Sequence, residues 1–402
     1  MVRLARISSV NALLIAWLVT DCIATFGAWF FLRSLVPLLP AEASPPVVIL
    51  FAIKGAADTT APFLERVCRQ DYPNYRIVAA LESRADPALR LVEAAQQNAG
   101  TRLEVDIVIA GYATQRSQKV HNLLAAVGAL REEDRIVVFT DADTLLPADW
   151  LTNLVRPIAN GEVSASTGYR WPLPMDGRLP TLIGAAADLS VTTAARSRHW
   201  NMCWGGSTAV SRDVLDALDL KTVWDRSASD DVTLTRALRA HRCTINSPLR
   251  VLVPSPIAHT WSGLFAFARR QHLMLRTYAP RHWIFGGMAL CIPALGAGVA
   301  LLSLAAVNRV GIGALVASIA MLQARLKIRR RIMARVLPAD THSIAQASIL
   351  FSSWAWPLIH LTHCLAFLSS CLGQQFTWAG VRYQLAGRNV KVVLRQDPSQ
   401  PE

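Results

Sequence analysis

The sequence is poor in charge. Of its 402 residues only 17% are charged, while 52% are hydrophobic. So much apolar surface excludes a disordered chain. Acid is the scarcer sign: 28 Asp and Glu stand against 41 Lys and Arg, a formal charge of +13. A mean hydropathy of +0.30 beside a pI near 10.0 is unusual for a soluble globular protein. Together they point to an integral membrane protein with an anionic partner, either lipid headgroups or a phosphorylated substrate. The seven cysteines form no C-x-x-C pair, which argues against a zinc site or disulfide framework and reads as reduced, buried thiols. Glycine-rich phosphate loops are missing as well. Neither G-x-G-x-x-G nor a Walker pattern follows the first predicted strand, which counts against dinucleotide and P-loop binding.

What is present begins with four apolar runs. Val10 to Leu32 is long enough for a hydrocarbon layer of about 30 Å, which takes about 20 residues. It ends in AWFFLR and not at a small-residue cleavage site, so it reads as a retained anchor. Asp21, near its middle, reads as a neutral carboxyl bonded to a neighbouring helix, with a functional role as the alternative. Ile284–Val307 and Val310–Leu322 flank Asn308–Arg309 as a helical hairpin. A basic loop over 325–336 follows, with Lys327, Arg329, Arg330, Arg331 and Arg335, and the positive-inside rule makes it cytoplasmic. Parity then puts Arg33 to Arg281 on the cytoplasmic side and the N-terminus outside. The fourth run, Ser343 to Val381, has no Asp, Glu, Lys or Arg. Pro357 is expected to break it into a re-entrant pair, which returns the basic tail inside.

The 250 or so residues between the anchors alternate strand and helix patterns. VVILFAIKG (47–55) is a continuous apolar run, like a strand buried on both faces. Strands RIVAAL (76–81), LEVDIVIAG (103–111) and DRIVVFTDAD (134–143) follow, with helix patterns between them. Asp86–Pro87 has the cap and first-turn residues of a helix start. The alternation predicts an α/β domain with a mostly parallel sheet flanked by helices. Ligands of such sheets bind beyond the carboxyl ends of the strands.

Acids gather at those ends. Asp141 and Asp143 follow the strand IVVFT, and alternation puts both carboxylates on roughly one side. Two hard oxygen donors there suit Mg²⁺ or Mn²⁺ shared with substrate phosphates. Asp230–Asp231 in SASDDVTLTRAL opens a helix, where one acid can cap while the next projects into a cleft. Asp86, taken alone, reads equally well as a cap. Lys119 and Asn122 lie three apart at a helix start, so both can face one ligand. FARRQHLMLR carries Arg269, Arg270, Gln271 and Arg276 beside the second apolar run. They flank a membrane segment, and their guanidinium groups also match a diphosphate.

In order along the chain these pieces resemble membrane-anchored glycosyltransferases of the family 2 and family 21 type, most of all ceramide glucosyltransferases. The matches are Asp86 in DPA, QKVHNL with Lys119, Asp141-Ala-Asp143, WGGSTAVSRDVLDAL from Trp204, SDD ending at Asp231, and FTWAGVRYQL with Trp378, Gly380, Arg382 and Tyr383. Arg270 takes the arginine of the family's Q/R-x-x-R-W motif, with Gln271 where tryptophan is expected. The resemblance implies a GT-A-like fold with N-terminal and C-terminal transmembrane helices. It implies Asp231 as catalytic base, Asp141 and Asp143 as metal ligands, and Asp86, Lys119, Asp141, Arg270 and Gln271 at the nucleotide sugar. Trp204, Gly205, Gly206, Ser207 and Asp230 would lie on the acceptor side.

The implied reaction is inverting hexosyl transfer from a UDP-sugar to a lipid hydroxyl, ceramide first, with N-acetylglucosaminyl transfer to a hopanoid as the rival. A non-catalytic basic scaffold is the reading from another class. The expected partners are the UDP-sugar, the lipid acceptor and the bilayer, with no nucleic acid. The expected division is an anchor over 1–36, a cytoplasmic catalytic domain over 37–282, and a C-terminal region over 283–402, in a bacterial-type inner membrane.

Overall fold

The computed structural model describes residues 2–35, 43–194 and 197–395, the first seven by backbone alone. After helix α1 (Val2–Arg33) the chain alternates β1 (Val47–Ala52), α2 (Thr60–Val67), β2 (Tyr75–Leu81), α3 (Ala88–Ala99), β3 (Val105–Ile109), α4 (Gln118–Val127) and β4 (Ile136–Asp141). It continues with α5 (Trp150–Ala159), β5 (Ala165–Thr167), β6 (Tyr169–Pro174), α6 (Leu179–Thr192), β7 (Thr208–Ser211), α7 (Arg212–Ala217), α8 (Leu220–Val223), α9 (Asp230–Ala240), β8 (Ile245–Asn246) and β9 (Leu252–Ile257). The seven-stranded sheet has the order β3-β2-β1-β4-β7-β5-β8. Its four predicted strands pair in parallel, and β7 enters antiparallel to β4.

The apolar run of β1 explains this placement. Val47, Ile49 and Phe51 pack on one face with Phe63 and Val67. Val48 and Leu50 pack on the other with Val120 and Leu123. Each such side chain contributes about 1.5–3 kcal/mol when fully buried, so β1 is stable only at the centre of the sheet. The sheet runs outward from β1 in both directions, through β2 and β4, and a crevice opens beyond their carboxyl ends.

The remainder is α10 (Trp261–Tyr278), α11 (Pro280–Ala305), α12 (Arg309–Val336), α13 (His342–Ser369) and a three-stranded antiparallel sheet of β10 (Gln375–Trp378), β11 (Val381–Ala386) and β12 (Asn389–Arg395). Among the described residues three helical stretches are long and apolar enough to cross a membrane: Ser9–Arg33, Pro280–Ala305 and Arg309–Val336. The basic segment 325–336 is therefore not a loop but the end of α12. It stays helical because its inward arginines find partners. Arg325 Nη2 pairs with Asp21 Oδ1 at 3.1 Å, and Arg329 donates to Thr193 and Ser190 at the end of α6. Asp21 bonds a neighbouring helix as expected, and its partners there are the Arg325 guanidinium and the Ser318 hydroxyl.

The expected break at Pro357 is absent: α13 runs through it. An internal proline orphans the carbonyl four residues back, here that of Ser353. Gln323 Nε2 of α12 donates to that carbonyl at 3.4 Å, as neighbouring helices can for a helix in a bundle. Ala345 and Ile349 pack with Met333 and Leu337 at the end of α12, and Ser370 Oγ accepts from Trp283 Nε1 at the start of α11. Both places adjoin the α/β domain. Between them Trp356 stacks on Trp17 of α1, ring centroids 6.0 Å apart. Residues 375–395 then fold onto the α/β domain and not into the helical bundle: Phe376, Tyr383 and Val390 share a core with Val232 and Tyr278.

Candidate active site

The crevice beyond β1, β2 and β4 collects the acids. Asp141 is the last residue of β4. Lys119 enters from the first turn of α4, whose start Ser117 caps by accepting from Val120 N. Its Nζ lies 2.6 Å from Asp141 Oδ1 and 3.0 Å from Asp230 Oδ2. Asp230 and Asp231 open α9, capped by Ser229. One oxygen of Asp231, Oδ1, accepts from the Ser229 hydroxyl at 2.6 Å and from Val232 N at 2.7 Å. The other, Oδ2, has among the described residues only the 3.3 Å contact from Gly205 N. So β4, α4 and α9 bring Lys119, Asp141, Asp230 and Asp231 together.

Burial pushes the Asp230 carboxyl up to about 6; Lys119 pulls it back, and Asp231 and Asp141 raise it further. Burial alone would lower the Lys119 ammonium, but the charges of Asp141, Asp230 and Asp231 hold it well above its usual range. Gly205 makes the cluster possible: a Cβ there would lie 2.6 Å from Lys119 Nζ and 2.8 Å from Asp230 Oδ2. Gly206 is equally constrained, since a Cβ would meet the Trp204 ring at 2.3 Å. Trp204 itself packs against Tyr169, ring centroids 5.6 Å apart.

Asp143 is reachable from solvent yet sits at a crowded cleft floor. Crowding first, then the Asp141 charge, raises its carboxyl, while Arg170 and Lys119 oppose the rise. Arg270 of α10 is held below its ordinary value, at about 10, by burial, against the attraction of Asp141, Asp231 and Asp143. Asp86 stands at the same sheet edge, after β2. Its Oδ1 accepts from Gly55 N and Ala88 N, both at 2.9 Å, so it caps α3 and anchors the β1 loop at once.

Three predicted residues do not join the cleft. Ser207, in the bend just before β7, is fully buried and accepts from Trp150 Nε1 at 2.8 Å. Gln271 is exposed, one step of about 100° around α10 from Arg270. Asn122 is buried against β2, bonded to Gln118 and Ala80. Several residues were missed. Arg170 lies against Asp188 and over the Phe267 ring, 4.8 Å from its centroid. Near the β2 end, Glu82 takes Lys54 at 3.0 Å and Arg395 at 3.5 Å. Arg170 had a sequence signal, a charge inside the apolar segment GYRWPLP. Arg395 had none, since only the tertiary fold brings β12 to β2.

Among the described residues no group of three or more His, Cys, Asp or Glu forms a metal cage. The donor set still fits a divalent ion that shares its shell with phosphates. Among the described residues Asp143 carries no ion pair, and Asp141 has one oxygen beyond the Lys119 contact. Mg²⁺ and similar ions take one or two carboxylates plus substrate phosphates in this way.

A family model described as glycosyl transferase family 21 matches residues 12–390. Among solved structures, the mannosyltransferase PcManGT from Pyrobaculum calidifontis, in complex with GDP-Man and Mn²⁺, is similar at 18% identity and a TM-score of 0.53, over 90% of this chain and 99% of that one. Glucosyl-3-phosphoglycerate synthase from Mycobacterium tuberculosis is similar at 15% identity and a TM-score of 0.37, over 60% and 81%. S. aureus TarS 1–349 is similar at 12% and 0.37, over 89% and 98%. The first of these shows that the fold is GT-A-like. Against curated protein sequences the chain has no match.

Proposed function

The chain belongs to glycosyl transferase family 21, and on that premise we propose that it moves a hexose from UDP to the hydroxyl of a membrane lipid, ceramide first, with inversion. The observation that carries the reading is the meeting of Asp141, Asp143 and Asp231 beside two cations, Lys119 and Arg270, at the sheet's carboxyl edge. Arg270 and Lys119 supply charge for a leaving diphosphate. Asp231 acts as base through Oδ2. Its Oδ1 is held by Ser229 and Val232, so the carboxylate is oriented before the acceptor arrives. Asp86 meets the nucleoside from the β2 end, and Trp204 with Gly205 and Gly206 borders the acceptor. A Mg²⁺ or Mn²⁺ held by Asp143 and Asp141 would add Lewis-acid charge at the diphosphate.

The acceptor's insolubility accounts for the helical bundle. In this reading α1, α11 and α12 cross the inner membrane and the α/β domain is cytoplasmic. Helix α13 starts and ends on that side, and the arginines of α10 lie at headgroup level. The test is to incubate the purified full chain with UDP-glucose, UDP-galactose or UDP-N-acetylglucosamine and either ceramide or a hopanoid alcohol, then analyse the lipid extract by mass spectrometry. The expected product is a hexosylceramide. An N-acetylhexosaminyl hopanoid would replace both substrates but keep the chemistry. No transfer to any lipid would overturn the proposal and favour the scaffold.

A further inference from the structure

The C-terminal hairpin reaches the cleft. β10 ends at Trp378, and Ala379 and Gly380 turn the chain with φ of 48° and 71°. The left-handed pair is that of a tight two-residue turn. The Trp378 ring lies on the Arg270 guanidinium, whose Cζ is 4.4 Å from the ring centroid. Phe267, one turn earlier on α10, is 5.6 Å from the same Cζ. Arg270 makes no hydrogen bond or ion pair among the described residues, although Asp141, Asp231 and Asp143 all act on it. Stacking occupies the faces of a guanidinium and leaves its N–H edge free, the edge that binds phosphate oxygens in pairs.

The hairpin is held in place by groups of the donor side. Lys54 Nζ, paired with Glu82, donates to Ala379 O at 3.1 Å. Tyr383 Oη accepts from Gln118 N at 3.1 Å, next to Lys119 at the start of α4. Position 271, adjacent to Arg270, offers only an exposed glutamine, so the nearer of the arginine's two aromatic partners comes from the far end of the chain.

We propose that Trp378 is the positioning residue of the diphosphate clamp: its ring fixes the plane of Arg270, and the C-terminal hairpin is thereby part of the donor site. The inference rests on the donor reading above. The test uses the full chain in detergent with Mn²⁺ and measures binding of UDP, pyrophosphate and uridine by equilibrium dialysis. Trp378→Leu is expected to weaken UDP and pyrophosphate about tenfold and to leave uridine unchanged. Trp378→Phe should recover most of the loss. In an Arg270→Lys background the leucine change should add little, since it acts through the residue already altered. Should Trp378→Leu not fold, Trp378→Met carries the same test. Uridine binding lost in parallel, or costs that simply add to those of Arg270→Lys, would reduce the hairpin to scaffolding and overturn the proposal. Wild-type and Trp378→Leu proteins binding UDP equally would do the same while sparing the donor reading. Failure of the wild type to bind UDP or pyrophosphate would sink both.

Discussion

Two buried clusters in this molecule pair aspartate with a cation, and they are built on opposite plans. Between the helices, Asp21 meets one guanidinium, Arg325, and one hydroxyl, Ser318. Within that pair the charges cancel, and both carboxylate oxygens of Asp21 are bonded. In the cleft, Lys119 serves Asp141 and Asp230 at once, while Asp143 and Asp231 add two carboxylates that no salt bridge neutralises. The first cluster is complete in itself and ties α1 to α12. The second is short of positive charge within bonding distance and open to the crevice. A balanced buried pair serves the fold, whereas an unbalanced one at a cleft is where a ligand is expected.

The largest test of that contrast is Asp231→Asn. Transfer should fall about 10²–10⁴-fold while UDP binding is retained; an active Asp231→Asn protein beside an inactive Asp230→Asn one would exchange the two roles. Next, Asp21→Ala leaves Arg325 buried without its partner and should cost about 3–5 kcal/mol of stability, read by unfolding in detergent. Replacing both, as Asp21→Leu with Arg325→Met, should recover most of it and spare transfer. The same treatment of Lys119 and Asp230 should spare stability and abolish transfer; if both pairs behave alike, the contrast is wrong.

Gly205→Ala is expected to act between these extremes. Its Cβ would meet only side-chain ends, Lys119 Nζ and Asp230 Oδ2, so the fold should lose about 1 kcal/mol or less. The displaced ion pairs should lower transfer about 10²-fold. The smallest effect is a pH dependence. Burial raises Asp230 from 3.8 to about 6, so between those values the folded state holds more protons than the unfolded one. Stability relative to Asp230→Asn should therefore fall as pH rises through that window, and the Lys119 pair should be fully formed only above it. A difference in melting temperature that is flat from pH 4 to 6.5 would contradict this.

Much of this was legible in advance because it is local. An unbroken apolar run such as 47–52 can be satisfied only inside a parallel sheet, and an acid that ends such a strand, as Asp141 does, has nowhere to go but the ligand edge. What was misread depended on distant partners. Pro357 was expected to break its helix, and it does not because Gln323 serves the orphaned carbonyl. The arginines of 325–336 were expected in a loop, and they are helical because Asp21, Thr193 and Ser190 receive them. Ser207 and Gln271 lie in the matching segments but do not face the cleft, because a bend before β7 buries the first against Trp150 and one helix step separates the second from Arg270.

Sequence alone thus determined the chemistry this protein can offer: which acids stand at strand ends, which segments must leave water, and which family the order of motifs resembles. Only the tertiary structure decided the partnerships, namely that Lys119 is shared between two aspartates and that Arg270 is stacked beneath a tryptophan from the C-terminal hairpin. The physical reason is range. Backbone pattern and apolar periodicity act over a few residues, whereas ion pairs and ring contacts join whatever the packed core brings within a few ångströms, at any separation along the chain.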